Sequence, residues 1–350
     1  MLFYPVIFKM EKQNKEWKVA VLPGDGVGPE VMSAAMGVLE AVKNRFGLDI
    51  KTEKGEAGLH CVEKHGTNLP KETIDLLKRS DCVLKGPMTT PEGTGSLVSA
   101  AVQIRKMFDL YANVRPSKTL PKVPSLKPGV DMVIIRENTQ GAYSGLEFSI
   151  GKDAAIGIRM ITRDACQRIC RFGFELARKR KKHLTLVHKA NVLKASDGLF
   201  KDVFYKMAEE YKDVKADDAH IDAMTQWLIK QPDAYDVIVT ENLFGDIISD
   251  EAAMVVGGIG TGGSANIGNK YAMFEPIHGS VPKYTGMDKV NPIGMVMAMK
   301  MMFEWMGYEE AATAVEKAVS ELLESGKVLT YDLGGKSKCS EVGKAIASKI

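Results

Sequence analysis

Thr240-Glu-Asn-Leu-Phe-Gly-Asp246-Ile-Ile-Ser-Asp250-Glu-Ala-Ala-Met254 follows the apolar, strand-like run Tyr235-Asp-Val-Ile-Val-Thr240 and sets two carboxylates four residues apart. A helix starting near Asn242 puts Asp246 and Asp250 on one face, one turn apart. Like charges at that spacing repel, so the pattern calls for a compensating positive charge. A hard divalent cation such as Mg²⁺ or Mn²⁺, which prefers oxygen ligands, meets that need. A solvated acidic face near a helix start is the plain alternative when the pair is considered alone.

Outward from this element, the chain of 350 residues is long enough for two ordinary domains, and its 45% hydrophobic and 26% charged content reads as soluble and globular. The net charge of +3 is too mild to imply nucleic acid. The one basic run, Arg178-Lys-Arg-Lys-Lys182, ends an apolar-periodic segment, where cations complement a helix dipole. Cys61, Cys82, Cys166, Cys170 and Cys339 form no CxxC pair, which points to buried thiols in a reducing compartment and a cytoplasmic location. The apolar stretch 2–8 is too short to span a membrane and lacks the flanks of a signal peptide; translation from Met10 is an expectation.

In chain order, residues 18–23 read as a strand, the loop Gly24-Asp-Gly-Val-Gly-Pro29-Glu follows, and an amphipathic helix runs to about Arg45. The glycines at 24, 26 and 28 do not make GxGxxG, so an ordinary Rossmann fingerprint is rejected. A helix at 71–80, a buried strand at 82–86 and a helix at about 96–107 argue for an open α/β sheet. Residues 131–163 read as successive strands, including Gly141-Ala-Tyr143-Ser-Gly145, and mark a second domain. The remaining expectations are a helix at 163–182, a strand at 183–188, a helix at 197–211, a polar segment at 214–220, a glycine-rich loop at 257–268, and helices from about 291, 309 and 340.

Arg105, Arg115 and Arg136 form a trio suited to a small polycarboxylate, because guanidinium grips carboxylate bidentately. Asp222 is a possible third metal carboxylate, and Lys189 and Tyr143 are candidate proton carriers.

Eight motifs then occur together. They are Gly24-Asp-Gly-Val-Gly-Pro-Glu30, Leu84-Lys-Gly-Pro87, Asp109-Leu-Tyr-Ala-Asn-Val-Arg-Pro116, Arg136-Glu-Asn-Thr-Gln-Gly-Ala-Tyr-Ser-Gly145, Val187-His-Lys-Ala-Asn191, Asn242-Leu-Phe-Gly-Asp-Ile-Ile-Ser-Asp250, Ala265-Asn-Ile-Gly268 and Phe274-Glu-Pro-Ile-His-Gly279. From about Lys18 onward the chain resembles the β-decarboxylating dehydrogenases, which comprise the isocitrate, 3-isopropylmalate and homoisocitrate enzymes. The resemblance implies metal-dependent oxidation of a 2-hydroxy acid by NAD(P)⁺ followed by decarboxylation. It implies a large open α/β sheet domain from residues 1–112 and 245–350, and a smaller α/β domain from 113–244 that forms a homodimer interface.

By residue, the resemblance implies Asp222, Asp246 and Asp250 as ligands of Mg²⁺ or Mn²⁺, and Lys189 with Tyr143 as proton carriers. Lys189 and one aspartate then come from the partner subunit. Arg105, Arg115 and Arg136, with Ser99 or Ser96, hold the substrate. The loop 260–266 and the His278-Gly279 turn accept adenosine phosphates. Thr89, Lys283, Tyr284, Val290, Asn291, Tyr331 and Asp332 complete a cofactor site that resembles the NADP-dependent isocitrate branch, although Gly335 stands where that branch has an arginine. The asparagine expected two residues after the serine is Ala101, which leaves isopropylmalate and homoisocitrate open beside isocitrate. A non-catalytic regulatory subunit is disfavoured because every expected catalytic position is filled.

Overall fold

A computed structural model describes residues 15–90 and 97–350. The Met10 start lies outside the described residues, as do Ser96 and Pro91. Short apolar runs bounded by glycine, proline and charge become strands: β1 Trp17–Leu22, β2 Ile50–Lys54, β3 Cys82–Lys85, β4 Ala112–Lys118, β5 Asp131–Glu137, β6 Glu147–Ile150, β7 Ala154–Gly157, β8 His183–His188, β9 Lys215–His220, β10 Val237–Thr240, β11 Gly263–Ile267 and β12 Ala272–Pro276. Ten of them form one sheet in the order β2-β1-β3-β12-β11-β4-β5-β10-β8-β9, while β6 and β7 pair as a separate hairpin. Both flanks are parallel and the centre, β12-β11-β4-β5, is antiparallel. A mixed α/β sheet covered by helices is the result, and it is not a closed barrel.

Inside the parallel flanks, β3, β8 and β10 are buried, which explains their near-continuous apolar character. On one side the helix Gly28–Phe46 packs against Ile293–Met306 and Cys339–Ala347. Pro29 suits its first turn, and Gly47 ends it in the left-handed region with φ 64°. The helix Ile293–Met306 is buried on nearly every side and forms the centre of the larger core.

Several local expectations need correction. The helix before Arg105 is Ala100–Met107, shorter than expected, and Ser99 stands at its N-cap. Residues 141–145 are not a strand: Gly141 and Gly145, both at positive φ, enclose the single 3₁₀ turn Ala142–Ser144 that projects Tyr143. The polar segment at 214–220 is the edge strand β9, its charges a common protection of a sheet edge. The glycine-rich stretch at 257–268 contains buried strand β11; a Cβ on Gly263 would lie 2.5 Å from the Ala298 backbone nitrogen, so glycine there permits helix and strand to touch. The expected domain joints fall at the start of β4 and inside the helix Asn242–Val255. All five cysteines are free and buried. No helix among the described residues is long and apolar enough to cross a membrane.

Candidate active site

A cleft of about 390 Å³ opens where β4, β5 and β12 meet the helices Ala100–Met107 and Asn242–Val255. The second helix is set by its N-cap, where the buried Glu241 carboxylate accepts from Phe244 N–H at 2.7 Å. Asp246 and Asp250 then follow on one face, as their spacing requires.

Arg136 passes from β5 beneath this helix. A Cβ on Gly245 would meet the Arg136 Cγ at 2.6 Å, so glycine is what lets the guanidinium through. Arg136 Nε donates to Asn242 Oδ1 at 2.9 Å and Nη1 donates to Asp246. From β4, Arg115 donates to Ser249 Oγ at 2.7 Å and Asp250 Oδ1 at 3.0 Å, with Asp246 3.3 Å away. Arg105 donates to Glu275 Oε1 at 2.9 Å, and Lys85 reaches the other oxygen of that carboxylate at 2.7 Å. The Tyr143 hydroxyl donates to Asp246 Oδ2.

Burial opposes charge throughout this cluster, so pairing decides the outcome. Against that burial, Arg136 and Arg115 hold the Asp246 carboxyl below its ordinary range. Asp250 goes the other way, raised by burial and by Asp246, despite Arg115 beside it. Two carboxylates of opposite tendency on adjacent turns fit a cation that neutralises both. Burial and the Asp246 hydrogen bond push the Tyr143 phenol up, while burial and the neighbouring arginines lower Arg136 to about 10. Arg105 Nε, Arg115 Nε and Arg136 Nη2 are buried without a hydrogen-bond partner. Such donors are costly in an interior.

Lys189 and Asp222 lie elsewhere. Neither lines the cleft; they pair with each other, and Asp222 is well exposed. The ammonium of Lys189 holds Asp222 below its usual range. Among the described residues, no group of three or more His, Cys, Asp or Glu is placed to hold a metal within one chain. Asp246 and Asp250 by themselves do not make such a group.

A groove beside the cleft is lined by Gly258, Gly260, Val290, Asn291, Tyr331 and Asp332, and His278 belongs to both. Burial lowers the His278 pKa; its Nδ1 lies 3.0 Å from Gly279 O, and its buried Nε2 has no partner. The expected phosphate loop is shorter than 260–266, because Ser264 and Asn266 are interior, Asn266 bonding Asn113, Asn138 and Glu275. Ser99, Ala101, Val102 and Met88 also line the cleft. Thr89 sits on its wall loop, its hydroxyl 2.7 Å from Ser280 Oγ.

Asp25 secures that loop, accepting from Thr89 N–H at 2.8 Å and from Leu59 and His60 N–H. A Cβ on Gly24 or Gly26 would lie 2.1 Å from Pro87 O or 2.0 Å from Ser280 O. The glycines therefore rivet two wall loops together instead of cradling a pyrophosphate. Sequence reasoning named neither Lys85 nor Glu275 as a site residue, although both stood inside quoted motifs, and it passed over Asn242, which orients Arg136.

The profile described as isocitrate/isopropylmalate dehydrogenase matches residues 18–346. The 3-isopropylmalate/3-methylmalate dehydrogenase of Methanocaldococcus jannaschii is 45% identical over 338 residues, covering 95% of this chain and 98% of that protein. Homoisocitrate dehydrogenase of the same organism is 42% identical, with 95% and 97% covered. The crystal structure of isocitrate dehydrogenase from Methylococcus capsulatus superposes with a TM-score of 0.91 at 41% identity, covering 95% of this chain and 99% of that one.

Proposed function

Because the chain belongs to the isocitrate/isopropylmalate dehydrogenase family, we propose that it oxidises and decarboxylates isocitrate to 2-oxoglutarate and CO₂, with NADP⁺ and Mg²⁺ or Mn²⁺. The observation that carries this reading is the surplus of positive charge in the cleft. Lys85, Arg105, Arg115 and Arg136 face three carboxylates, Asp246, Asp250 and Glu275. A dication raises the excess to three, which a tricarboxylate neutralises.

In this reading Arg105, Arg115 and Arg136, which line the cleft, hold the substrate carboxylates and fix its orientation. Asp246 and Asp250, with Asp222 of the partner subunit, would hold the cation, which would supply Lewis acidity at the hydroxyl oxygen on the carbon being oxidised. The dinucleotide, when bound, would supply the hydride acceptor for that carbon. Lys189 of the partner subunit takes the hydroxyl proton. Tyr143, kept protonated by burial and by Asp246, delivers a proton to the carbon that loses CO₂.

The shared site requires a homodimer, and the surface offers one an apolar face. Phe148 and Ile150 on β6, Ile156 on β7, and Ile247 and Met254 on the helix Asn242–Val255 are exposed. The smaller domain, 113–244, is proposed as the dimerising one, in a cytoplasmic enzyme. Lys283, Tyr284 and Tyr331 favour NADP⁺ over NAD⁺, since a lysine attracts a ribose 2′-phosphate that an acidic residue would repel.

A second reading, 3-isopropylmalate, is favoured by the apolar wall of Met88, Ala101 and Val102 and by the archaeal relatives. Steady-state kcat/KM of the purified chain with Mg²⁺ for isocitrate, homoisocitrate and 3-isopropylmalate, each with NADP⁺ and NAD⁺, decides between them. Isocitrate with NADP⁺ is expected to lead. A lead of about tenfold for 3-isopropylmalate, which is about 1.4 kcal/mol, would make the apolar wall the better guide.

A further inference from the structure

Two tyrosines and two lysines meet at the rim of the cofactor groove. The rings of Tyr284 and Tyr331 stand edge to face with centroids 5.6 Å apart. Lys289 Nζ lies 4.8 Å from the first centroid and 4.6 Å from the second, and Lys283 Nζ lies 4.9 Å from Tyr284. Aromatic faces hold ammonium groups by their quadrupole, but two cations sharing one ring repel each other. An anion placed between them removes that repulsion.

Lys289 does not hang from a free loop. Asp288 before it takes a left-handed conformation, φ 51°, and is fastened to the start of the helix Cys339–Ala347. Its carbonyl accepts from Cys339 N–H at 2.8 Å, and its carboxylate accepts from Ser340 N–H at 2.8 Å and Ser340 Oγ at 2.6 Å. Val290 after it is buried in the groove wall. Nearby acids are engaged: Asp288 by Ser340, and Asp332 by Asn291 and Thr330. At Gly335 no side chain fits, since a Cβ there would lie 2.0 Å from the Leu329 carbonyl oxygen. Position 335 therefore cannot contribute a charge to this rim.

We infer that Lys289 is a specificity-determining residue that supplies the second ammonium of a phosphate subsite, bracketing the ribose 2′-phosphate of the cofactor opposite Lys283 and against the phenols of Tyr284 and Tyr331. The inference rests on the NADP⁺ reading above and adds a residue to it. The test is calorimetric titration of the intact wild-type protein with 2′,5′-ADP and with 5′-AMP, repeated for Lys289→Ala, Lys289→Arg and Lys283→Ala. Wild type is expected to prefer 2′,5′-ADP by at least about tenfold, as a charge-assisted contact to phosphate implies. Lys289→Ala should weaken 2′,5′-ADP by about tenfold and leave 5′-AMP unchanged, while Lys289→Arg should stay within about threefold of wild type. If Lys289→Ala binds 2′,5′-ADP as wild type does while Lys283→Ala does not, the role of Lys289 is overturned and the NADP⁺ reading stands. If wild type binds the two nucleotides alike, both fall together.

Discussion

Two of the charge networks among the described residues end differently. Behind the sheet, Lys300 reaches Glu304 at 2.7 Å and Glu316 at 3.3 Å, and Glu316 also takes Lys118 at 2.7 Å. Two ammonium groups answer two carboxylates. At the cleft, four cations meet Asp246 and Glu275 on its lining and the exposed Asp250 beside it, and three guanidinium nitrogens remain buried without a partner. Burial of charge by itself therefore does not mark a site. The mark is a surplus of cations lining a cavity.

Asp246→Asn tests that contrast most severely. Turnover with Mg²⁺ should fall on the order of 10²- to 10³-fold, the scale of losing one preorganised charge at a reacting centre, with circular dichroism unchanged. Near-normal kcat would break the distinction. Lys300→Met should show the reverse. Breaking the buried Lys300–Glu304 pair should cost about 3–5 kcal/mol in denaturant unfolding, with the KM values of the folded fraction unaltered.

Arg136→Lys sharpens the comparison inside the cleft. A lysine keeps the charge but loses the fork that serves Asn242, Asp246 and a ligand at once. A rise in substrate KM of about tenfold to a hundredfold, read by initial rates, is expected from losing one or two charge-assisted contacts.

The smallest effect concerns acid. Glu316 is partly buried, yet Lys300 and Lys118 lower its pKa to about 2. Its folded value lies below its unfolded one, so its contribution is complete above about pH 4.5 and disappears as pH falls toward 2. After allowing for its partial exposure, the loss should be about 1–2 kcal/mol. The difference in Tm between pH 6 and pH 3 should therefore be smaller in Glu316→Gln than in wild type.

The cleft was legible wherever the chemistry was written in spacing or residue type. The interval of four placed Asp246 and Asp250 on one helix, and Arg105, Arg115 and Arg136 come together on the cleft lining. What was hidden depended on approach in space. Nothing in the composition of Lys215–His220 separates a charged edge strand from a loop, and Gly263 becomes a strand residue only because a helix backbone presses on it. Lys289 was invisible for the same reason, since its meaning lies in two tyrosines 5 and 42 positions away in the sequence.

The turn at Gly24-Asp25-Gly26 touches carbonyls of both wall loops at distances no side chain could share, whereas Lys283 and Lys289 stand on the outer rim with room around them. Mutational freedom is thus distributed very unevenly along one groove. A lineage can exchange the rim lysines for acids in single steps without disturbing the loops beneath. Any replacement of the turn glycines would shift the wall loops, and with them His278 between groove and cleft. On the proposed reading, coenzyme preference is an editable trait mounted on an uneditable support, and a directed-evolution library meant to change it should randomise 283, 284 and 289 while holding Gly286, Asp288 and 24–26 constant.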